Sequence, residues 1–214
     1  MEKTLHTAGY GLAAILFFLL HGSFQVWQGR WENLLWACHL ADLTVGIGLV
    51  LRSRSIAAMG LVLLGFGMPM WLIALASGGD FYPTSVLTHV GGMAVGIIGL
   101  PRLGGLRDDW WRAYLFVLLL VVLSHCLTTA RLNVNMAFHT WPIARAWIPN
   151  LTIHWLSLFA IWGAGLFTAE QMLRRTLLAV SNDDPREDDE PVRGKPDCRA
   201  AQQGSRAIAT PAIH

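Results

Sequence analysis

The chain has 214 residues, of which 54% are hydrophobic and 14% charged, and its formal net charge is +2. A soluble domain carries about 25% charged residues, and a balance this close to neutral gives no basis for nucleic-acid binding. The three cysteines, Cys38, Cys126 and Cys198, form no CxxC pair, zinc-finger spacing or secreted disulfide framework.

The apolar residues fall in blocks long enough to cross about 30 Å of hydrocarbon as helices. In chain order these blocks are 8–27, 33–51, 55–77, 84–101, 112–131 and 147–172. The first follows Lys3 and contains "LAAILFFLL", as a signal peptide would. The succeeding "HGSFQVW" has no small-x-small cleavage site, so the segment reads as a retained helix. Between the blocks lie "QGRWE", "RSR", "GGDFYP", "PRLGGLRDDWW" and "RLNVNMAFHTWPIARA", rich in breakers and charge. After "QMLRR" the composition turns polar, with proline and mixed charge. The expectation is an all-α, polytopic membrane bundle of six transmembrane helices over 1–176, followed by a disordered polar tail over 177–214.

Short-loop Lys and Arg residues orient such a bundle. Lys3, Arg52, Arg54, Arg102, Arg107, Arg112, Arg174 and Arg175 fall on one side, and Arg30, Arg131 and Arg145 on the other. Both termini are therefore expected in the cytoplasm, in a multi-pass protein of a bacterial inner membrane. Trp27, Trp31, Trp36, Trp141 and Trp147 then mark the outer interface.

The expected topology places His21, His39, His89, His125 and His154 at a common depth, each five or six residues inside the outer end of its helix. That depth is roughly 7–9 Å at 1.5 Å per residue. The stretch "WACHLADL" adds Cys38 and Asp42, which are four apart on one helix side, with His39 three from Asp42. Ser85 lies four before His89, and Asn133, Asn135 and Asn150 add amides near the same end. Ionisable groups inside a membrane are costly and mark functional sites by default. The layer reads as a polar cavity open to the outside or to the outer leaflet.

The order of "WxCHxxD" in the second helix, "PTSVLTHVGG" in the fourth and "NVNMAF" after the fifth resembles the YwaF-type six-helix integral membrane protein family. That family is similar to a eukaryotic cysteine-dependent transmembrane phospholipid acyltransferase. The resemblance covers residues 8 to about 172, and Ala41 stands where bacterial relatives often carry cysteine. It implies that Cys38 is a nucleophile and His89 its base.

Four readings follow. In the first, the protein catalyses acyl transfer or hydrolysis on a membrane lipid. Cys38 attacks, His89 accepts the thiol proton, and Asp42 or His39 orients the base, by the logic of a catalytic triad. Asn133 and Asn135 then stabilise the oxyanion, with His125, His154 and Ser85 lining the substrate site. In the second, a metal-dependent membrane hydrolase uses Ser85, His89 and Asp42, ligand types resembling those of the ceramidase-like superfamily, but without that superfamily's late HxxxH pair. The third is haem held by two histidines, or carriage of a small molecule. The fourth is a purely structural polar layer. The first is taken as the working expectation, with no metal or cofactor assigned and membrane lipid as the partner.

Overall fold

In the computed structural model, residues 2–140, 147–148 and 150–182 are described. The chain divides into two units, residues 1–179 and 180–214, and the fold below is that of the first. Of the tail expected to be disordered from 177, residues 177–182 are helical instead, and from position 183 on it lies outside the described residues, Cys198 included, as do Trp141 and Arg145.

The described residues are helical and contain no strand. The helices are α1 (Glu2–Trp27), α2 (Ala37–Val50), α3 (Arg54–Ala76), α4 (Pro83–Val86), α5 (Gly92–Gly99), α6 (Trp110–Leu127) and α7 (Leu151–Asn182). A π-helical turn, Leu87–Gly91, joins α4 to α5, and a 3-10 turn, Leu100–Leu103, follows α5. Together these four pieces make one apolar span, Pro83–Leu103. Among the described residues five helices are long and apolar enough to cross a membrane, as in a multi-pass membrane protein. A bundle suits that medium because each helix satisfies its own backbone groups where water is absent.

The expected second span, 33–51, takes a different form. The chain makes a 3-10 turn over Trp31–Leu35, passes through an extended Trp36 (φ −57°, ψ 133°) and only then enters α2, which has 14 residues. Asn135 explains the late start. Its Oδ1 accepts the Ala37 N–H at 2.8 Å, while its Nδ2 donates to Leu35 O at 2.7 Å and to Ser124 Oγ at 2.9 Å. One amide thus caps α2, holds the preceding turn and ties both to α6.

Short as it is, α2 lies at the centre, packed between α1 and α3 with α5 beside it. Small residues permit this. A Cβ on Gly60 would lie 2.6 Å from the Ala41 carbonyl oxygen, and one on Gly11 2.7 Å from that of Gly46. Close backbone approach of this kind is how helices associate when lipid is as apolar as their side chains. Around α2 lies a core of Leu49, Leu61, Leu64, Val117 and Leu166.

The start of α6 is held by a buried ionic knot. Asp109 accepts from Arg54 (2.5 and 3.2 Å), Arg112 (2.6 Å) and the Arg107 N–H (2.9 Å). Glu170 of α7 accepts the Asp109 and Trp110 N–H groups at 3.1 and 2.6 Å, and Arg174 from its own helix at 2.6 and 3.0 Å. The first-turn N–H groups of α6 would otherwise lack partners. Both acids are fully buried. The knot sits at the end of the bundle where α3 and α6 begin, which leaves the other end free for a cavity.

Candidate functional site

The cavity lies where α1 ends and α2 begins, and its volume is about 260 Å³. Its polar lining includes His21, Gln25, Asn33, Cys38, His39 and His89, and its apolar lining Phe66, Met70, Trp71, Leu75 and Trp162. Gly79, Asp80 and Tyr82 stand at the mouth.

The direction of the hydrogen bonds fixes the chemistry of the imidazoles. An indole N–H can only donate, so the chain of contacts beginning at Trp36 has one polarity. Trp36 Nε1–H donates to Asn33 Oδ1 (3.2 Å), Asn33 Nδ2 to Gln25 Oε1 (3.0 Å), and Gln25 Nε2 to His21 Nε2 (3.3 Å). His21 Nδ1–H must then donate to Thr84 Oγ1, 2.7 Å away. Both nitrogens of His21 are engaged.

His39 and His89 differ from it. His39 Nδ1 lies 2.8 Å from the Asn33 carbonyl oxygen, and His89 Nδ1 2.8 Å from that of Ser85. A carbonyl can only accept, so each Nδ1 carries the proton and each neutral ring has its lone pair on Nε2. Neither Nε2 has a hydrogen-bond partner among the described residues. The two rings are held rather than free. His39 meets His21 edge-on with centroids 4.3 Å apart, and His89 stacks on Trp71 at 4.6 Å with planes 10° apart. Two proton acceptors of fixed tautomer therefore share a cavity with a thiol.

Cys38 is half-buried and packs against Gly67, where a Cβ would meet its Sγ at 2.6 Å. No thiol–imidazole hydrogen bond is formed among the described residues.

The histidine layer inferred from spacing separates into two groups. His21, His39 and His89 converge on the cavity. His125 and His154 brace the segment after α6 instead: His125 Nδ1 contacts Ala137 O at 3.1 Å, and His154 Nε2 contacts Met136 O at 2.8 Å. Neither lines the cavity. Ser85 does, although its hydroxyl donates to Tyr82 O at 2.7 Å and only its carbonyl serves His89.

Asp42 does not orient either ring as a triad would require, because backbone carbonyls take that part. The carboxyl is fully buried, is not part of the cavity lining, and has no hydrogen-bond partner on either oxygen among the described residues. Residues four apart share a helix side but are about 6 Å apart along the axis, and that rise carries Asp42 past the lining at Cys38. It abuts Gly92, where a Cβ would collide with its Oδ1.

Asn133 and Asn135, expected to stabilise an oxyanion, are both engaged in structural hydrogen bonds, and of the two only Asn135 lines the cavity. Asn135 has both amide hydrogens in use in the cap described above. Asn133 Nδ2 contacts His139 O at 2.7 Å and His139 Nδ1 at 3.1 Å, and its Oδ1 accepts the Phe138 and His139 N–H groups at 3.0 and 3.1 Å. Both adopt left-handed backbone angles, φ 45° and 53°, which asparagine tolerates better than most residues.

No family model, curated protein or solved structure matches this chain. The geometry therefore carries the functional reading alone. It includes residues that spacing did not single out: Gln25, Asn33 and Trp36, which set the tautomer of His21, and Trp71, which seats His89. Gln25 four residues after His21 and Trp36 three after Asn33 were the local signals; the rest depends on contacts between more distant parts of the chain. Among the described residues no group of three or more His, Cys, Asp or Glu side chains is arranged to hold a metal ion.

A latch spans the mouth. Arg30 bonds to both Asp80 (3.3 Å) and the Tyr82 hydroxyl, which itself donates to Asp80 at 2.8 Å. Hydrogen bonds from Tyr82 and Arg30 hold the Asp80 carboxyl below the usual carboxylate range. Burial, and then the bond to Asp80, push the Tyr82 phenol up.

Proposed function

We propose that the protein binds a membrane lipid ester in this cavity and transfers or hydrolyses its acyl group through Cys38, as a member of the YwaF-type family. The observation that carries the reading is the pair of imidazoles whose Nε2 lone pairs are bare in the cavity that Cys38 lines. A thiol needs a base to attack an ester near neutral pH. His89 is that base in the proposal, held by Ser85 O and Trp71, and His39 is the second proton acceptor. Catalytic hydrogen bonds often tighten only when substrate binds, so the missing thiol–imidazole bond is one the substrate complex must form.

The mixed polar and apolar lining of the cavity suits an amphiphile. Phe66, Met70, Trp71 and Trp162 offer apolar surface to an acyl chain, and the histidine side receives the ester. The Lys and Arg balance of the loops favours an outward-facing cavity and a cytoplasmic knot.

The test is acyl labelling with an alkyne-tagged phospholipid, followed by hydroxylamine, which cleaves thioesters. Wild-type protein should carry a hydroxylamine-sensitive label that Cys38→Ala abolishes and His89→Ala strongly reduces. Equal labelling of all three proteins overturns the thiol reading. A stoichiometric metal or a Soret band in the purified protein would replace it with metal-dependent hydrolysis or haem binding.

A further inference from the structure

Imidazoles aside, the cavity lining carries one charged side chain, Asp80, and no lysine or arginine. The cation comes from beside the lining. Arg30 Nη1, just past the end of α1, donates to Asp80 Oδ2 at 3.3 Å and to the Tyr82 hydroxyl. Its guanidinium carbon stands 5.7 Å from the centre of the Tyr82 ring, and Phe24 lies against the same ring with centroids 5.4 Å apart. The mouth therefore gathers one cation, one anion and two aromatic rings. The Arg30 side chain is 39% exposed and that of Asp80 70%. An ion pair so open contributes little to stability, so a ligand that offers a partner to each member can part it at little cost.

The mouth also lies at a set distance from the imidazoles. Tyr82 precedes Thr84 by two residues, and Thr84 Oγ1 accepts the His21 Nδ1–H at 2.7 Å. His21 in turn meets His39 at 4.3 Å. Two residues span at most about 7 Å of backbone, so the latch stands one short step of chain from the histidines. In a glycerophospholipid the phosphate hangs from the glycerol carbon next to one that bears an acyl ester. Head and ester are thus parted by a step comparable to the one between latch and imidazoles.

We propose that the Arg30–Asp80–Tyr82 cluster is a headgroup subsite that selects a zwitterionic phospholipid. The Arg30 guanidinium turns to the phosphate, and the headgroup ammonium takes its place between the Asp80 carboxylate and the Tyr82 ring. This rests on the reading of the cavity as a lipid-ester site and names the class of lipid. The exchange leaves every charge paired. A guanidinium meets a phosphate through two parallel N–H···O bonds, and an aromatic face attracts an ammonium that a carboxylate already holds. An anionic head would set its own charge beside an Asp80 stripped of its cation. A head without charge would gain from neither member of the pair. The latch therefore discriminates by repulsion as well as attraction.

The test is native mass spectrometry of the full chain in detergent, as Cys38→Ala so that no thioester can form. The probes share one pair of acyl chains and carry phosphoethanolamine, phosphocholine or phosphoglycerol, with diacylglycerol as the lipid without a head. The two zwitterionic lipids should be retained about tenfold better than the other two, the effect of one hydrogen bond to a charged group. Arg30→Gln should weaken all three phosphate lipids and spare diacylglycerol, whereas Asp80→Asn should raise phosphoglycerol to the level of the zwitterions. A merely structural role would move all four lipids alike. Equal retention of the four, or a preference for phosphoglycerol, overturns the subsite. So does retention of glycerophosphocholine, which has the head and no acyl chain, at the level of the phosphocholine lipid. The expected pattern with no acyl label on wild type overturns the thiol reading and leaves the subsite standing. A Cys38 label formed without regard to headgroup does the reverse.

Discussion

Glu170→Ala should destabilise the bundle more than most single changes. Glu170 accepts the Asp109 and Trp110 N–H groups and the Arg174 guanidinium at 2.6–3.1 Å with no solvent exposure. Removing it leaves two backbone donors in the interior, at about 1–3 kcal/mol each. Arg174 keeps Asp108 at 2.7 Å and loses less. The expected total is about 3–5 kcal/mol, the range for breaking a buried ion pair. At 2–4 °C per kcal/mol for a chain of this size, unfolding should shift down by roughly 6–20 °C. Thermal unfolding in detergent, followed by tryptophan fluorescence, measures it. Glu170→Gln keeps one acceptor oxygen and should fall between. If both variants lie within about 1 kcal/mol of wild type, the knot is solvated and the reasoning fails.

Three further predictions concern Asp42 and the Asp80 latch. Gly92→Ala drives a methyl into the Asp42 carboxyl and should cost about 1–3 kcal/mol as overpacking. Asp42→Ala should relieve it in the double variant, and Asp42→Asn should keep the acyl label, since the carboxyl bonds to neither ring; full loss of label refutes that. The Asp80 carboxyl is held low, so its contribution is complete above the unfolded carboxylate value, about 3.9, and fades as pH falls through the lowered folded value. The gap in unfolding temperature between wild type and Asp80→Asn should therefore be constant at neutral pH and close only in strong acid. A gap that widens on acidification refutes the latch.

Much of the architecture was readable because hydrocarbon imposes a length and a composition on each crossing. The late start of α2 was not, since its cause is Asn135, almost a hundred positions downstream. Spacing from the helix ends likewise gave the depth of the histidines but not their rotation about each helix axis. Rotation is set by packing, by Gly67 against Cys38 and Gly92 against Asp42, and it decided that His21, His39 and His89 meet while His125 and His154 face elsewhere. The asparagines of "NVN" were recognisable as special, yet nothing local separated a structural cap from a catalytic donor. Asp42 shows a further limit: a shared helix side implies neighbours in projection, and one turn of rise was enough to part it from the cavity.

The brevity of α2 has a consequence for the surrounding lipid. Fourteen residues rise about 21 Å, roughly a third short of an average hydrocarbon core. The central helix is therefore shorter than the spans packed around it, and the 3-10 turn and the Asn135 loop continue the chain at the Cys38 end. Bilayers deform around short elements at fractions of a kcal/mol per Å. Acyl labelling of Cys38 should accordingly depend on bilayer thickness, and differ between vesicles of short-chain and long-chain lipid.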